Sequence, residues 1–92
     1  MIIRVMIDEQ NDADTWWKSG GRELWDKYEH TRDKYNFLNL DEETAAAFFK
    51  EAELIPGWDD PEAPPWAPYP LDFQTDTGEI VWFENGKFVI SK

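Results

Sequence analysis

The chain has no cysteine and a single histidine, His30. Disulfides, thiolate nucleophiles and Cys-based zinc sites are therefore excluded, and the fold must hold by packing alone. Cations are scarce as well. Nine Lys and Arg face 20 Asp and Glu over 92 residues, a formal net charge of −11. That balance excludes a bare DNA- or RNA-binding domain, because phosphate recognition needs clustered Lys and Arg. Anionic membrane surfaces are excluded by the same repulsion. Long apolar runs are missing too. Met1 to Ile7 is the nearest approach, but it contains Arg4 and runs straight into acids. It has neither the length nor the cleavage-site pattern of a signal peptide and falls far short of the ~20 apolar residues of a membrane span. The expected location is the cytoplasm of a host cell.

What is present is aromatic. Six Trp, six Phe and three Tyr make up 16% of the chain, and 41% of residues are hydrophobic. A disordered acidic tail has few aromatics, so this composition specifies one small folded domain, residues 1–92.

Ile2 to Ile7 reads as a strand (2–7) that enters an acidic loop, 8–14, with Asp14 or Thr15 as a helix cap. Gly20-Gly21 breaks the pattern after about one turn, at 15–19. Leu24, Trp25, Tyr28, Arg32 and Tyr35 then lie on one helical stripe, which predicts a helix over 22–35. Asn36 to Leu40 reads as a connector. Asp41 opens a second helix, 42–55, with Glu42 and Glu43 at the positive end of its dipole; Ala45, Phe48, Phe49, Ala52 and Ile55 mark its buried face. Pro56-Gly57 ends it.

No proline occurs outside positions 56 to 70, where all six fall. This stretch is neither helix nor central strand. It carries Trp58, Trp66 and Tyr69; Trp66 and Tyr69 are expected to cover a sheet face, and Trp58 to serve as an interface anchor. Trp16 and Trp17 are adjacent, so only one of them can turn inward. Leu71 to Ser91 reads as a three-stranded meander (71–91). Its Asn85-Gly86 turn pairs Glu84 with Lys87, Phe83 with Phe88, Trp82 with Val89 and Val81 with Ile90. The fold class that follows is α+β: a small antiparallel sheet, made of the N-terminal strand plus the C-terminal meander, with two helices packed on one face.

No catalytic signature emerges. Ser19 and Ser91 lie in no nucleophile turn, and Gly20-Gly21 matches no phosphate loop. His30 sits off the apolar stripe. Asp8, Asp12 and Asp14 fail the calcium-loop spacing, which would need Gly at position 13 and Glu at position 19, where Ala13 and Ser19 stand. With twenty carboxylates, no pair singles itself out. The expectation is therefore a non-enzyme without cofactor or metal.

The charge, however, is unevenly distributed. Residues 37–86 hold twelve acids and one base, Lys50, and so carry the whole net −11. Acids set beside exposed aromatics suit a surface that offers carboxylates to Arg and Lys where phosphates normally bind. The partner-binding residues expected on this basis are Asp8, Glu9, Asp12, Asp14, Glu42, Glu43, Glu51, Glu53, Trp58, Asp59, Asp60 and Glu62. In composition the chain is similar in character to small phage-encoded anti-CRISPR and anti-restriction proteins. The expected function is accordingly that of a protein inhibitor, encoded by a phage or mobile element, that blocks a basic nucleic-acid-binding protein by mimicking DNA. Two alternatives stand beside it. One is an immunity protein or antitoxin against a cationic nuclease toxin. The other is a structural homodimer that buries the apolar Trp82 face.

Overall fold

The computed structural model describes residues 1–8, 10, 11, 13–59 and 61–90. Three of the expected partner residues, Glu9, Asp12 and Asp60, lie outside them, as do Ser91 and Lys92.

The architecture is α+β, with two antiparallel sheets. β1 (Ile2–Ile7), β2 (Leu38–Asp41) and β3 (Leu71–Thr75) form one sheet in the order β2-β1-β3. β4 (Val81–Glu84) and β5 (Lys87–Ile90) form a separate hairpin. The meander expected as one sheet is thus divided: β3 pairs with β1 along its length, and a single bridge, Gln74 to Ile80, links it to the β4 side. The reason is local. Gly78 has φ 89° and its N–H bonds the Thr75 carbonyl, while the Thr75 hydroxyl accepts from the N–H groups of Thr77 and Glu79. These bonds close the turn on itself and leave the ladder only one bridge.

Alternation places the sheet's core. Ile3 pairs with Leu40 and Thr75, and Val5 with Leu38 and Phe73; all are buried. Asp72 and Met6 pair on the opposite face. β2 falls in what the sequence suggested was a connector. Its last residue, Asp41, doubles as the cap of α3 (Glu42–Ala52), its Oδ1 accepting from the Thr44 N–H at 2.7 Å. That hydrogen bond is the first cause holding the Asp41 carboxyl below its ordinary range. α3 is three residues shorter than expected, because the chain tightens into turns that bond Leu54 to Glu51 and Ile55 to Ala52. Its inner face, Ala45, Phe48, Phe49 and Ala52, joins the core, where Phe49 meets Phe73 at 5.4 Å.

The helix expected over 22–35 is largely absent. A short α1 (Asp14–Trp16) leads through a π-type turn, Trp17–Gly21, into α2 (Arg22–Asp26). Neither Asp14 nor Thr15 caps it; helical backbone begins at Asp14 after Ala13, with no side-chain cap. Beyond Asp26 the polar side chains compete for the backbone. The Thr31 hydroxyl donates to the Tyr28 carbonyl, and Asp33 Oδ1 accepts from the Tyr35 N–H at 2.8 Å. Such bonds offer the chain an alternative to helix. A 3-10 turn, Glu29–Thr31, and extended backbone at Arg32 follow. Tyr35, assigned to the apolar stripe, is exposed.

Trp16 is fully buried and its indole donates to the Ala52 carbonyl at 3.0 Å, whereas Trp17 is half-exposed. The indole lies against Gly21, where an added Cβ would stand 2.3 Å from Trp16 Cε3. Only a residue without a side chain fits there. At the other end of the chain the β4–β5 register is the expected one, pair for pair, with Asn85 at φ 54° and Gly86 at φ 79° as a type I′ turn requires.

Candidate functional site

The proline-rich stretch bears neither helix nor strand over its described residues, yet it is held firmly. Trp58 is 5% exposed, edge-on to Phe49 at 5.3 Å and stacked on Tyr69 at 5.4 Å. Tyr69 in turn stacks on Trp82 at 4.8 Å, so the outer ring of the hairpin is covered from within the chain. The expectation for these rings is thereby partly reversed. Tyr69 does cover the sheet face. Trp66 does not; at 73% exposed it is the aromatic of this stretch presented to solvent. Trp58, chosen as an anchor, belongs to the core, because a domain this small needs its area inside.

The candidate acids fall into distinct places. Glu42, Glu43 and Glu51 are exposed on α3 with Lys50, Glu53 follows as the residue that closes the helix, and Glu51 stands 3.9 Å from Lys27. Glu42 approaches the N-terminal amine at 3.6 Å. Asp14 is 3.8 Å from Lys18. Asp59 and Glu62 are exposed in the proline-rich stretch. The remaining pairs, Arg4–Asp33, Arg22–Asp26 and Arg32–Glu29, use cations and acids within residues 4–33. Among the described residues of 37–86, Asp41, Glu43, Glu53, Asp59, Asp76, Glu79 and Glu84 are exposed and make no ion pair, as is true of Glu23 earlier in the chain. Arg4, Lys18, Arg22 and Arg32 are paired with acids before residue 37, and Lys27 alone of the side-chain cations pairs with an acid of 37–86 among the described residues, Glu51. Of the first loop's described acids, Asp14 faces Lys18 and Asp8 lines a cavity with Asp72.

Asp8 lines a cavity of about 260 Å³ together with Asp72, Tyr69, Trp82, Ile80 and Pro68. Its walls come from three parts of the chain, and backbone bonds pin them together. The Asp8 N–H donates to the Pro70 carbonyl at 2.9 Å, and the Gln10 N–H donates to Asp8 Oδ1 at 2.9 Å. Asn11 is buried; its side-chain amide donates to the Ala67 carbonyl at 2.7 Å, tying the acidic loop to the residue before Pro68. Asn11 Oδ1 has no hydrogen-bond donor among the described residues. Asp72 is half-buried, and burial, the Asp8 charge and a hydrogen bond to the Asp8 carboxyl raise its pKa to about 6. Two carboxyls therefore converge on an aromatic wall.

Sequence reasoning missed this pair. Asp72 alternates with Leu71 and Phe73 and so reads as an ordinary outward strand residue. Nothing in the linear order brings it to Asp8, 64 positions earlier. The one available signal was strand alternation, which puts Asp72 on the face opposite Phe73 once β1 and β3 are paired. Among the described residues no group of three or more His, Cys, Asp or Glu could hold a metal ion, and no helix is long and apolar enough to cross a membrane. No family model, no curated protein and no solved structure matches the chain.

Proposed function

We propose that this protein is a non-enzymatic inhibitor that binds a basic nucleic-acid-binding protein and occupies with carboxylates the positions where phosphates bind. One observation carries the reading: the acidic excess of residues 37–86 stays on the exterior, unneutralised at Glu43, Glu53, Asp59, Asp76 and Glu84. A domain with that surface steers a cationic partner toward itself and fixes register through charge complementarity. Arg and Lys in a phosphate-binding groove accept carboxylate in the same geometry. Trp66, exposed on the proline-rich stretch, supplies the kind of aromatic anchor that dominates interface energetics. Host-cell cytoplasm and a phage or mobile-element origin belong to this proposal, as does the anti-CRISPR or anti-restriction role.

The test is capture of basic nucleic-acid effectors, a cationic nuclease toxin among them, at graded salt. The wild type binds at low salt and loses affinity as the Debye length contracts from about 10 Å at 0.1 M to about 3 Å at 1 M. The variant E43K/E53K/D59K, whose formal charge is −5 instead of −11, loses binding while keeping the wild-type circular dichroism spectrum. Capture that survives this reversal undiminished overturns the reading.

A further inference from the structure

We propose that the cavity between Asp8, Asp72, Tyr69 and Trp82 is a receptor for a guanidinium group, the side chain of an arginine on the protein partner. The inference rests on the function proposed above and names a specific contact within it.

Size comes first. At about 260 Å³ the cavity lies just below the roughly 300–1,000 Å³ of pockets that hold drug-sized ligands, so it takes a side chain and not a cofactor. Its chemistry comes second. The wall is aromatic, with Tyr69 and Trp82 stacked 26° from parallel, and aliphatic at Ile80 and Pro68. Among the described residues, the charged side chains that line it are those of Asp8 and Asp72, and no Lys or Arg lines the cavity. An anion is repelled, and a neutral apolar group leaves both carboxyls without a counter-charge. A cation satisfies them. Among cations the guanidinium fits best, because it is planar, more weakly hydrated than an ammonium and donates in a fork that matches carboxylate oxygens. An ammonium keeps more of its water and lacks the flat face.

The site is also built to receive without rearranging. Asp8 is fixed by its backbone bond to Pro70 and by the Gln10 N–H on its carboxylate. Asp72 sits in the middle of β3 opposite Met6 of β1. Tyr69 is clamped between the rings of Trp58 and Trp82. Two like charges held together in a half-buried place repel each other, and an incoming cation relieves that repulsion. Trp66 stands two residues before Pro68 on the same stretch, so a partner that engages the exposed indole brings its side chains to the mouth.

The experiment is an NMR titration of the intact protein with N-acetyl-arginine amide, the matching lysine amide and the neutral citrulline amide. The arginine amide is expected to move the Trp82 indole and Ile80 methyl resonances with millimolar affinity, the lysine amide more weakly and the citrulline amide not at all. Because Asp72 ionises near pH 6, affinity for the arginine amide falls by up to about tenfold between pH 7.5 and 5.0, and D72N abolishes that dependence. Equal shifts from citrulline and arginine overturn the proposal, as do arginine shifts spread over the whole acidic surface. Two variants then separate this inference from the function it rests on. E43K/E53K/D59K keeps the arginine site and loses the partner if both hold. D8N/D72N retaining full partner affinity overturns the arginine contact and leaves the acidic-surface reading intact. D72N alone is expected to fold at least as well as the wild type, so a folding defect in the double variant does not remove the test.

Discussion

Asp72 makes the fold less stable at neutral pH than it need be, and the size of that effect can be worked out. Its carboxyl has a pKa of about 6 in the folded protein against an ordinary value of 3.8. A raised carboxyl stabilises the fold fully below the unfolded value, and this contribution is lost as pH climbs through the folded one. The window therefore opens near pH 4 and closes above pH 6. Between pH 5 and pH 8 the two pKa values imply a loss of about 1.4 kcal/mol, and solvent screening of a half-buried group reduces it to about 1 kcal/mol. D72N removes the charge, keeps the shape and lets the amide donate to Asp8. Urea denaturation of both proteins at pH 5, 6, 7 and 8, followed by tryptophan fluorescence, gives the comparison. Carboxylates remote from the Asp8–Asp72 pair titrate alike in the two proteins and cancel in the difference. D72N is expected to gain on the wild type by about 1 kcal/mol as pH rises from 5 to 8. A difference that is flat with pH, or that runs the other way, refutes the placement of Asp72 beside Asp8 in a shielded site.

Three further outcomes follow from the packing. G21A forces a methyl into the Trp16 ring, threatens the indole's bond to Ala52, and should cost about 1–3 kcal/mol in urea unfolding, with a change in tryptophan emission. D41A lowers the urea midpoint at pH 7 through loss of the α3 cap; since the Asp41 carboxyl is held below its ordinary range, that cost is present above pH 4 and fades as pH falls through the folded value. W66A leaves stability within about 0.5 kcal/mol of wild type and weakens partner capture, whereas W58A costs about 3–5 kcal/mol.

The elements that could be read in the sequence are those whose signal is local. Asn85-Gly86 admits few conformations, so the hairpin register followed from two residues. Asp41 with Glu42 and Glu43 announced α3 because the cap and the dipole act within one turn. The stripe from Leu24 to Tyr35 misled, since periodicity is silent about Thr31 and Asp33 turning their oxygens on the backbone. β2 was hidden by its brevity: Leu38 and Leu40 alternate over only four residues, and their partner is a strand more than thirty positions away. The candidate site divides in the same manner. Exposed acids on α3 were legible from helical spacing. The cavity was not, because it exists only where Asp8 after β1, the end of the proline-rich stretch, β3 and the start of the hairpin meet, and Trp58 and Trp66 exchanged roles for reasons that lie in packing.

The sheet order carries a consequence for how the chain comes to fold. β1 is the first strand made and the central one of its sheet, and its pairing of Ile3 with Thr75 spans 72 positions. Until β3 emerges, one edge of β1 has no mate, although β2 can already pair with the other. Contacts of such long separation slow folding and leave edges open to the wrong neighbour meanwhile. An acidic chain has a defence in that interval: nascent copies repel one another while the central strand waits. The same charge that would draw a cationic partner to the finished protein would then also keep unfinished copies apart.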